Sequence, residues 1–182
     1  KRAPLLLFAV CAATLFDSVF ISFFTIFGLR SGLTLQTASW VLGAGILGNL
    51  GLQFLIGSLS DRWSRVGVVV CSAIVTVVTC VALIFVVNSW LIWPTVIVMA
   101  TAAFSVYVVA LAIMGDTFRG ADLIAGSAAF SAMWGVGGLV GPPIAGAAID
   151  AFGVNSMPLL LAAFYVLLLV GLAFNGGRLI RG

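Results

Sequence analysis

A single carboxylate lies in the middle of an apolar stretch near the start of the chain. Asp17 is accompanied by Thr14, Ser18, Ser22 and Thr25, whose hydroxyls recur along the same stretch. A carboxyl group in apolar surroundings lines a watery cavity, pairs with another group or takes up a proton. Two interpretations stay open. Asp17 serves proton coupling or cation recognition, or it is a neutral carboxyl bonded to the nearby hydroxyls.

A pair of amide side chains occurs further along at helical spacing. Asn49 and Gln53 are four residues apart and are bracketed by Gly45 and Gly57 at the same spacing, so the four share one helix face. Amides are costly against lipid, so this face meets another helix or a watery cavity. Interhelical hydrogen bonding and solute contact are both open. The candidate polar residues of a solute or ion cavity are Asp17, Asn49, Gln53 and Tyr107.

The composition excludes most catalytic and metal chemistry. The 182 residues include no histidine, and all five acidic residues are aspartates. Three cysteines lie inside apolar runs without Cys-x-x-Cys spacing, so neither a zinc site nor a disulfide framework is predicted. No second aspartate lies at the depth of Asp17 to form an aspartyl pair. We therefore expect no enzyme activity, no metal and no cofactor; coupling to protons is one of the open interpretations of Asp17.

The elements that carry these residues are membrane helices. The chain is 63% hydrophobic and only 7% charged, against roughly 25% charged residues in soluble domains. A membrane helix needs about 20 mostly apolar residues, and the continuous runs exclude β-barrel strands. Charges and turn residues divide the chain into six segments, which leaves no soluble domain. The predicted helices span about 4–28, 35–58, 66–87, 91–114, 123–149 and 156–176.

The basic residues are distributed unevenly between the two predicted sides of the membrane. With six crossings both termini share one side, and only Arg30 lies on the other. The basic residues on the side of the termini are Lys1, Arg2, Arg62, Arg65, Arg119, Arg178 and Arg181. This bias predicts cytoplasmic termini in a plasma (inner) membrane and explains the basic balance without a nucleic-acid partner.

The fifth predicted helix is rich in glycine and proline. Gly137, Gly141 and Gly146 permit close approach of a neighbouring helix, and Pro142 removes a backbone donor. We expect this segment to bend or become thin where it is pressed against a neighbour. Tight packing alone and a flexing point during a conformational change are the two open interpretations.

The loop between the second and third predicted helices carries a recognisable motif. It reads Gly57-Ser-Leu-Ser-Asp61-Arg62-Trp-Ser-Arg65. This resembles the signature of the major facilitator superfamily, Gly-x-x-x-Asp-Arg/Lys-x-Gly-x-Arg/Lys, with Gly57, Asp61 and Arg62 in register. Ser64 stands where the family prefers glycine, and Arg65 is one step early for the last basic position.

Two further segments carry the resemblance. The run Gly137-Gly138-Leu-Val-Gly141-Pro142-Pro-Ile-Ala-Gly146 resembles the Gly-x-x-x-Gly-Pro-x-x-x-Gly pattern of that family's fifth or eleventh helix. The segment 115–122 is similar to the family's loop between helices four and five, or ten and eleven. The resemblance therefore runs along the entire chain and is closest to the C-terminal half.

The resemblance implies an all-α membrane fold and a transport function. The six helices would form one half-bundle of a twelve-helix carrier, built from two inverted three-helix repeats, with a small organic solute bound between the halves. Six helices alone provide one wall, so the other half or a second copy is the expected partner. Phe16, Phe20, Phe24 and Phe104 would make the cavity apolar and aromatic, which suits an amphiphilic solute. The alternative is a non-transporting membrane scaffold or assembly module.

The resemblance also implies a role for the charged loop residues. A network would join the helix ends on the side of the termini and stabilise the outward-open state. We call it the charge latch, and its residues are Asp61, Arg62, Arg65, Asp116 and Arg119. The alternative is that these residues are topology signals and solvated charges, since exposed pairs contribute about 0–1 kcal/mol.

Overall fold

The chain is a bundle of six α-helices. The computed structural model describes the backbone of residues 3–62 and 64–179, and the side chains of residues 4–58, 60 and 64–174. These described residues contain no strand, and all six helices are long and apolar enough to cross a membrane. The predicted all-α membrane fold is therefore confirmed. The helices are α1 Ala3–Arg30, α2 Leu35–Arg62, α3 Arg65–Val86, α4 Ile92–Thr117, α5 Ala121–Phe152 and α6 Ser156–Leu179.

Each helix follows one predicted apolar segment and extends past it at one or both ends. α2 reaches Arg62, whereas its apolar segment was predicted to end at residue 58, and α5 and α6 also end a few residues later than predicted. Backbone hydrogen bonds continue through the polar residues at these ends, because they do not depend on apolar side chains. The apolar segment marks only the part of a helix that matches the hydrocarbon layer.

α1 and α4 form the centre of the bundle. In each, 56% of the most apolar stretch is buried, compared with 11% in α2 and in α5. α1 packs mainly on α5, α4 packs mainly on α2 and α3, and α3 and α6 pack on each other. Each of these contacts joins one of the first three helices to one of the last three. α2 and α5 are left with broad exposed apolar surfaces.

A row of aromatic rings on α1 fills the core. Phe16, Phe20, Phe24 and Phe27 are at most 3% exposed, and the centroids of successive rings are 5.6, 5.1 and 6.2 Å apart. Phe24 is completely buried, so the expectation that it lines a cavity is wrong. Because α1 is surrounded by four other helices, most of its faces meet neighbouring side chains.

Candidate functional site

A small cavity lies at mid-depth of the bundle, between α1, α2 and α4. It measures about 60 Å³ and brings together Asp17, Asn49 and Phe104, each close to the middle of its helix. Its other lining residues are Phe16, Phe20, Ile21, Ile46 and Ala100. We call it the Asp17 cavity. A space of this size with polar groups on its wall has room for a few water molecules or a small polar group.

The Asp17 carboxyl is half-buried and has no bonding partner within the part of the chain that the structure describes. Two of the four hydroxyls expected beside it are engaged elsewhere. Thr14 Oγ1 donates to the Val10 carbonyl oxygen at 2.9 Å, and Ser18 Oγ donates to the Leu15 carbonyl oxygen at 3.1 Å. Both bonds stay within α1. Thr14 and Ser18 therefore do not bind the carboxyl.

The two amides of α2 bond to each other and not to another helix. Gln53 Nε2 donates to Asn49 Oδ1 at 3.0 Å, across one turn of α2. Asn49 lines the Asp17 cavity, whereas Gln53, which was also expected there, is not among its lining residues. A Cβ at Gly57 would meet no neighbouring atom within 4 Å, but one at Gly45 would lie 2.8 Å from Val96 Cγ1 of α4. This face of α2 is therefore closely packed on α4 at Gly45 but not at Gly57.

Three aromatic rings continue the site from α4 to α5. The Phe104 and Tyr107 centroids are 5.5 Å apart, and the Tyr107 and Trp134 centroids are 4.8 Å apart. Phe104 also meets Trp134 edge-on at 6.1 Å. We call these residues the aromatic cluster. Because Phe104 also lines the Asp17 cavity, the cluster begins at the wall of that cavity.

A second, larger cavity lies beyond the aromatic cluster, towards the end of the bundle where α4 meets α5. It measures about 340 Å³ and lies between α4 and α5. We call it the α4–α5 cavity, and its lining residues are Tyr107, Leu111, Ser127, Phe130, Ser131 and Trp134. Sequence reasoning did not identify Trp134 or the two serines as lining a cavity. The available signal was the spacing of Ser127, Ser131 and Trp134, which puts them on one helix face.

α5 approaches α1 at two glycines. A Cβ at Gly137 would lie 2.6 Å from the Cys11 carbonyl oxygen, and one at Gly141 would lie 2.7 Å from Ser18 Oγ. At Gly146 the nearest atom would be in ordinary contact, 3.5 Å away in the ring of Phe23. The two helix backbones therefore come together around Gly137 and Gly141.

The proline-containing segment of α5, which was expected to bend or become thin, is helical. The helix is continuous from Ala121 to Phe152 and contains both Pro142 and Pro143. Prolines are tolerated in membrane helices when neighbouring groups or local adjustments compensate for the lost backbone bonds. On one side this segment packs closely on α1 at Gly137 and Gly141.

One ion pair joins α3 to α4 at the arginine-rich side, the side on which Arg65 and Arg119 lie. Arg65 Nη1 is 2.6 Å from Asp116 Oδ2. A cation at the start of a helix and a carboxylate at the end of one are each unfavourable for the helix dipole, and this pairing offsets both. Arg119 is exposed, and no ion pair of Arg119 occurs within the described residues. The side chains of Asp61 and Arg62 lie outside the described residues.

Ser64 has a structural role that the loop motif did not reveal. It precedes α3 with an extended backbone, and its Oγ accepts a hydrogen bond from the Gly67 backbone N–H at 3.0 Å. Serine is a preferred N-cap because it satisfies one of the free N–H groups of the first helical turn. The departure from the glycine of the family pattern thus caps the helix whose first residue is Arg65.

Substitution of Ser64 gives the first prediction. We expect Ser64→Ala to destabilise the bundle by about 0.5–2 kcal/mol, and Ser64→Gly by only a few tenths, because glycine is tolerated at N-caps. Thermal unfolding of the purified protein in one detergent measures both variants. Equal losses for alanine and glycine would contradict the capping role.

One comparison with known proteins is positive. The family model of the Major Facilitator Superfamily matches residues 6–177. The matched region begins inside α1 and ends inside α6, so it includes parts of all six helices. None of the curated proteins compared with the chain matches it. The similarity of this chain to known proteins is therefore to the family model, and it extends over the whole bundle.

Proposed function

Because this chain belongs to the Major Facilitator Superfamily, we propose that it is one wall of a secondary carrier that moves a small organic solute by alternating access. Members of this superfamily are membrane transporters and not enzymes. The six apolar helices contact the lipid bilayer. The proposal concerns what is carried, what drives it and how the wall moves.

The unpaired carboxyl at mid-depth is the observation that carries this proposal. An aspartate inside the hydrocarbon layer costs about 2.5–3.5 kcal/mol on insertion scales when it is ionised. A scaffold that only packs against partners has no use for such a group. Asp17 instead lines a cavity with Asn49 and has no bonding partner among the described residues. Binding and releasing a proton there couples solute movement to the proton gradient.

The exposed faces of α2 and α5 are where the second wall docks. Leu50 of α2 and Leu139 of α5 are 65% and 77% exposed, and these two helices flank the central pair α1 and α4. The second wall is the other six-helix half of the carrier or a second copy of this chain. Rocking of one wall against the other opens the Asp17 cavity first to one side of the membrane and then to the other.

The arginine-rich side faces the cytoplasm in this proposal, since positive charge is retained on that side. Here the Arg65–Asp116 pair is the described part of the charge latch, and Asp61, Arg62 and Arg119 complete it. The latch holds the helix ends together when the carrier is open to the outside. The membrane is the plasma (inner) membrane.

Accessibility of the Asp17 cavity tests alternating access without knowledge of the solute. The intact carrier is first made cysteine-free by alanine substitution of Cys11, Cys71 and Cys80. We expect Asn49→Cys to react with a charged, membrane-impermeant methanethiosulfonate from either side, in right-side-out and in inside-out vesicles. The matched control is Val78→Cys, which is 60% exposed on the outer face of α3 near mid-depth and should react from neither side.

Two results would overturn the proposal. An Asn49→Cys thiol that reacts from neither side would indicate a packed scaffold. A thiol that reacts from one side only would indicate a fixed pocket.

A further inference from the structure

We propose that the solute is an aromatic organic cation, with its charged group at Asp17 and its ring on the aromatic cluster, an inference that rests on the proposed transport function. The aromatic cluster lies between the two cavities of this wall: Phe104 lines the Asp17 cavity, and Tyr107 and Trp134 line the α4–α5 cavity. The Asp17 cavity contains the carboxylate, and the α4–α5 cavity is lined by the rings of Tyr107, Phe130 and Trp134. A solute that spans both must combine a positive charge with a flat ring.

The sizes of the two cavities fit the two parts of such a molecule. The Asp17 cavity, at about 60 Å³, has room for a small cationic group, such as an ammonium group or the N-methyl edge of a charged heteroaromatic ring, but not for a whole ring system. The α4–α5 cavity, at about 340 Å³, is within the lower range of small-molecule sites. Leu111, Ser127 and Ser131 on its wall are exposed, so it is open on the side where a second wall would close it.

The polar groups of both cavities favour a positive charge. Among the described side chains, Asp17 is the only charged one that lines either of them. The hydroxyl protons of Ser127 and Ser131 are already donated, to the Leu123 and Ser127 carbonyl oxygens at 2.9 and 3.0 Å. Their oxygens are left as acceptors, as is the carboxylate. An anionic solute would meet a carboxylate and no basic side chain.

The aromatic cluster supplies the second part of the recognition. A ring that stacks against Tyr107 or Trp134 gains dispersion energy, and a delocalised positive charge over either face gains a cation–π interaction. The centroid spacing of 4.8–6.1 Å keeps the three rings in mutual contact, which limits their rotation before a solute arrives. A purely aliphatic cation would use Asp17 but not the cluster.

Proton and cation compete for the same carboxyl in this arrangement. Away from the helix ends, the ionisable side chains described on the helices packed against α1 are phenols, Tyr107 on α4 and Tyr165 on α6. The Tyr165 hydroxyl donates to the Ala103 carbonyl oxygen at 2.8 Å. Within the described residues, the aspartates and arginines of α2 and α5 lie at helix ends. Asp17 alone can therefore exchange a proton for the cation, which makes the carrier an antiporter.

Binding to the intact carrier in lipid nanodiscs tests the proposal. The probe is 1-methylquinolinium, an aromatic ion whose charge does not change with pH. Tetraethylammonium and naphthalene-1-sulfonate lack the ring and the positive charge, respectively. We expect 1-methylquinolinium to bind at least about tenfold more tightly than either, to bind more weakly as the pH falls, and to release about one proton per cation bound.

Two substitutions separate the two parts of the site. Asp17→Asn should weaken 1-methylquinolinium binding at least about tenfold and abolish proton release. Trp134→Leu should weaken it about three- to tenfold and leave tetraethylammonium binding unchanged. Trp93→Leu, a half-buried tryptophan at the start of α4, is the matched control and should have no effect.

The failure of this inference differs from the failure of the proposed function. If Asn49→Cys is reached from both sides but 1-methylquinolinium binds no better than naphthalene-1-sulfonate, the cation assignment is wrong and alternating access stands. Equal losses for Trp134→Leu and Trp93→Leu would also overturn the cluster's role. If Asn49→Cys is reached from neither side, the transport proposal itself fails.

Discussion

Replacing Asp17 by asparagine is expected to abolish proton-coupled transport while leaving the bundle folded. Asparagine matches the carboxyl in size but cannot bind and release a proton. In liposomes loaded with a pH-sensitive dye and offered neutral, cationic and anionic organic solutes, the wild-type carrier should move protons with at least one solute. The variant should move none above the background of protein-free liposomes.

The same substitution should not lower stability. No hydrogen bond or ion pair to Asp17 would be lost within the described residues. An ionised carboxylate at mid-depth costs about 2.5–3.5 kcal/mol on insertion scales, and asparagine removes that cost. We therefore expect the midpoint of thermal unfolding in detergent to stay the same or to rise. A residue that couples proton movement to transport is expected to be required for transport even though it lowers the stability of the protein.

Asp150→Asn is the matched control for this prediction. Asp150 is exposed near the end of α5, so the same chemical change there should leave proton movement at the wild-type rate. Solute-dependent proton movement by Asp17→Asn would show that the coupling group lies elsewhere. A marked loss of stability in Asp17→Asn would instead indicate that the carboxyl has a structural partner.

The number and position of the helices could be predicted from the sequence because they depend on local composition. Six apolar runs of sufficient length are each bounded by charges or turn residues, and each run became one helix. Asp17 and Asn49 could be assigned to the middle of the membrane because each lies near the middle of its apolar run. Their meeting in one cavity depends on how α1, α2 and α4 pack, and this is a tertiary property.

The parts of the site that sequence reasoning left open or missed depend on side-chain rotamers and on contacts between helices. The spacing of Asn49 and Gln53 fits a bond within α2 or bonds to a neighbour, and only the side-chain rotamers decide between these. Trp134 meets Tyr107 because α5 lies beside α4 at that depth, which no local pattern encodes. Phe24 was expected to line the cavity together with Phe16, Phe20 and Phe104, but it is completely buried in the core.

A methyl group at Gly137 is expected to separate α1 from α5. The Cβ of Gly137→Ala would lie 2.6 Å from the Cys11 carbonyl oxygen, 2.9 Å from Thr14 Cβ and 3.1 Å from the Leu15 amide nitrogen. Two of these atoms belong to the backbone of α1, so no change of side-chain rotamer removes the overlap. Overpacking typically costs about 1–3 kcal/mol, and here α5 has few other contacts to hold it. The yield of monodisperse protein and the midpoint of thermal unfolding should both fall.

A glycine on the open side of the same helix provides the matched control. A Cβ at Gly135 would meet no atom within 4 Å, so Gly135→Ala should keep or slightly raise the midpoint, since alanine favours helix more than glycine does. Gly48→Ala of α2 is an intermediate case, because its obstacle is the Ile97 side chain at 2.6 Å, and Ile97→Ala should relieve it. Equal effects at Gly135 and Gly137 would mean that helix propensity, and not the contact with α1, determines how α5 responds. A fall at Gly137 alone would show that the glycines of α5 are required for close packing on α1, the helix that presents Asp17 to the cavity.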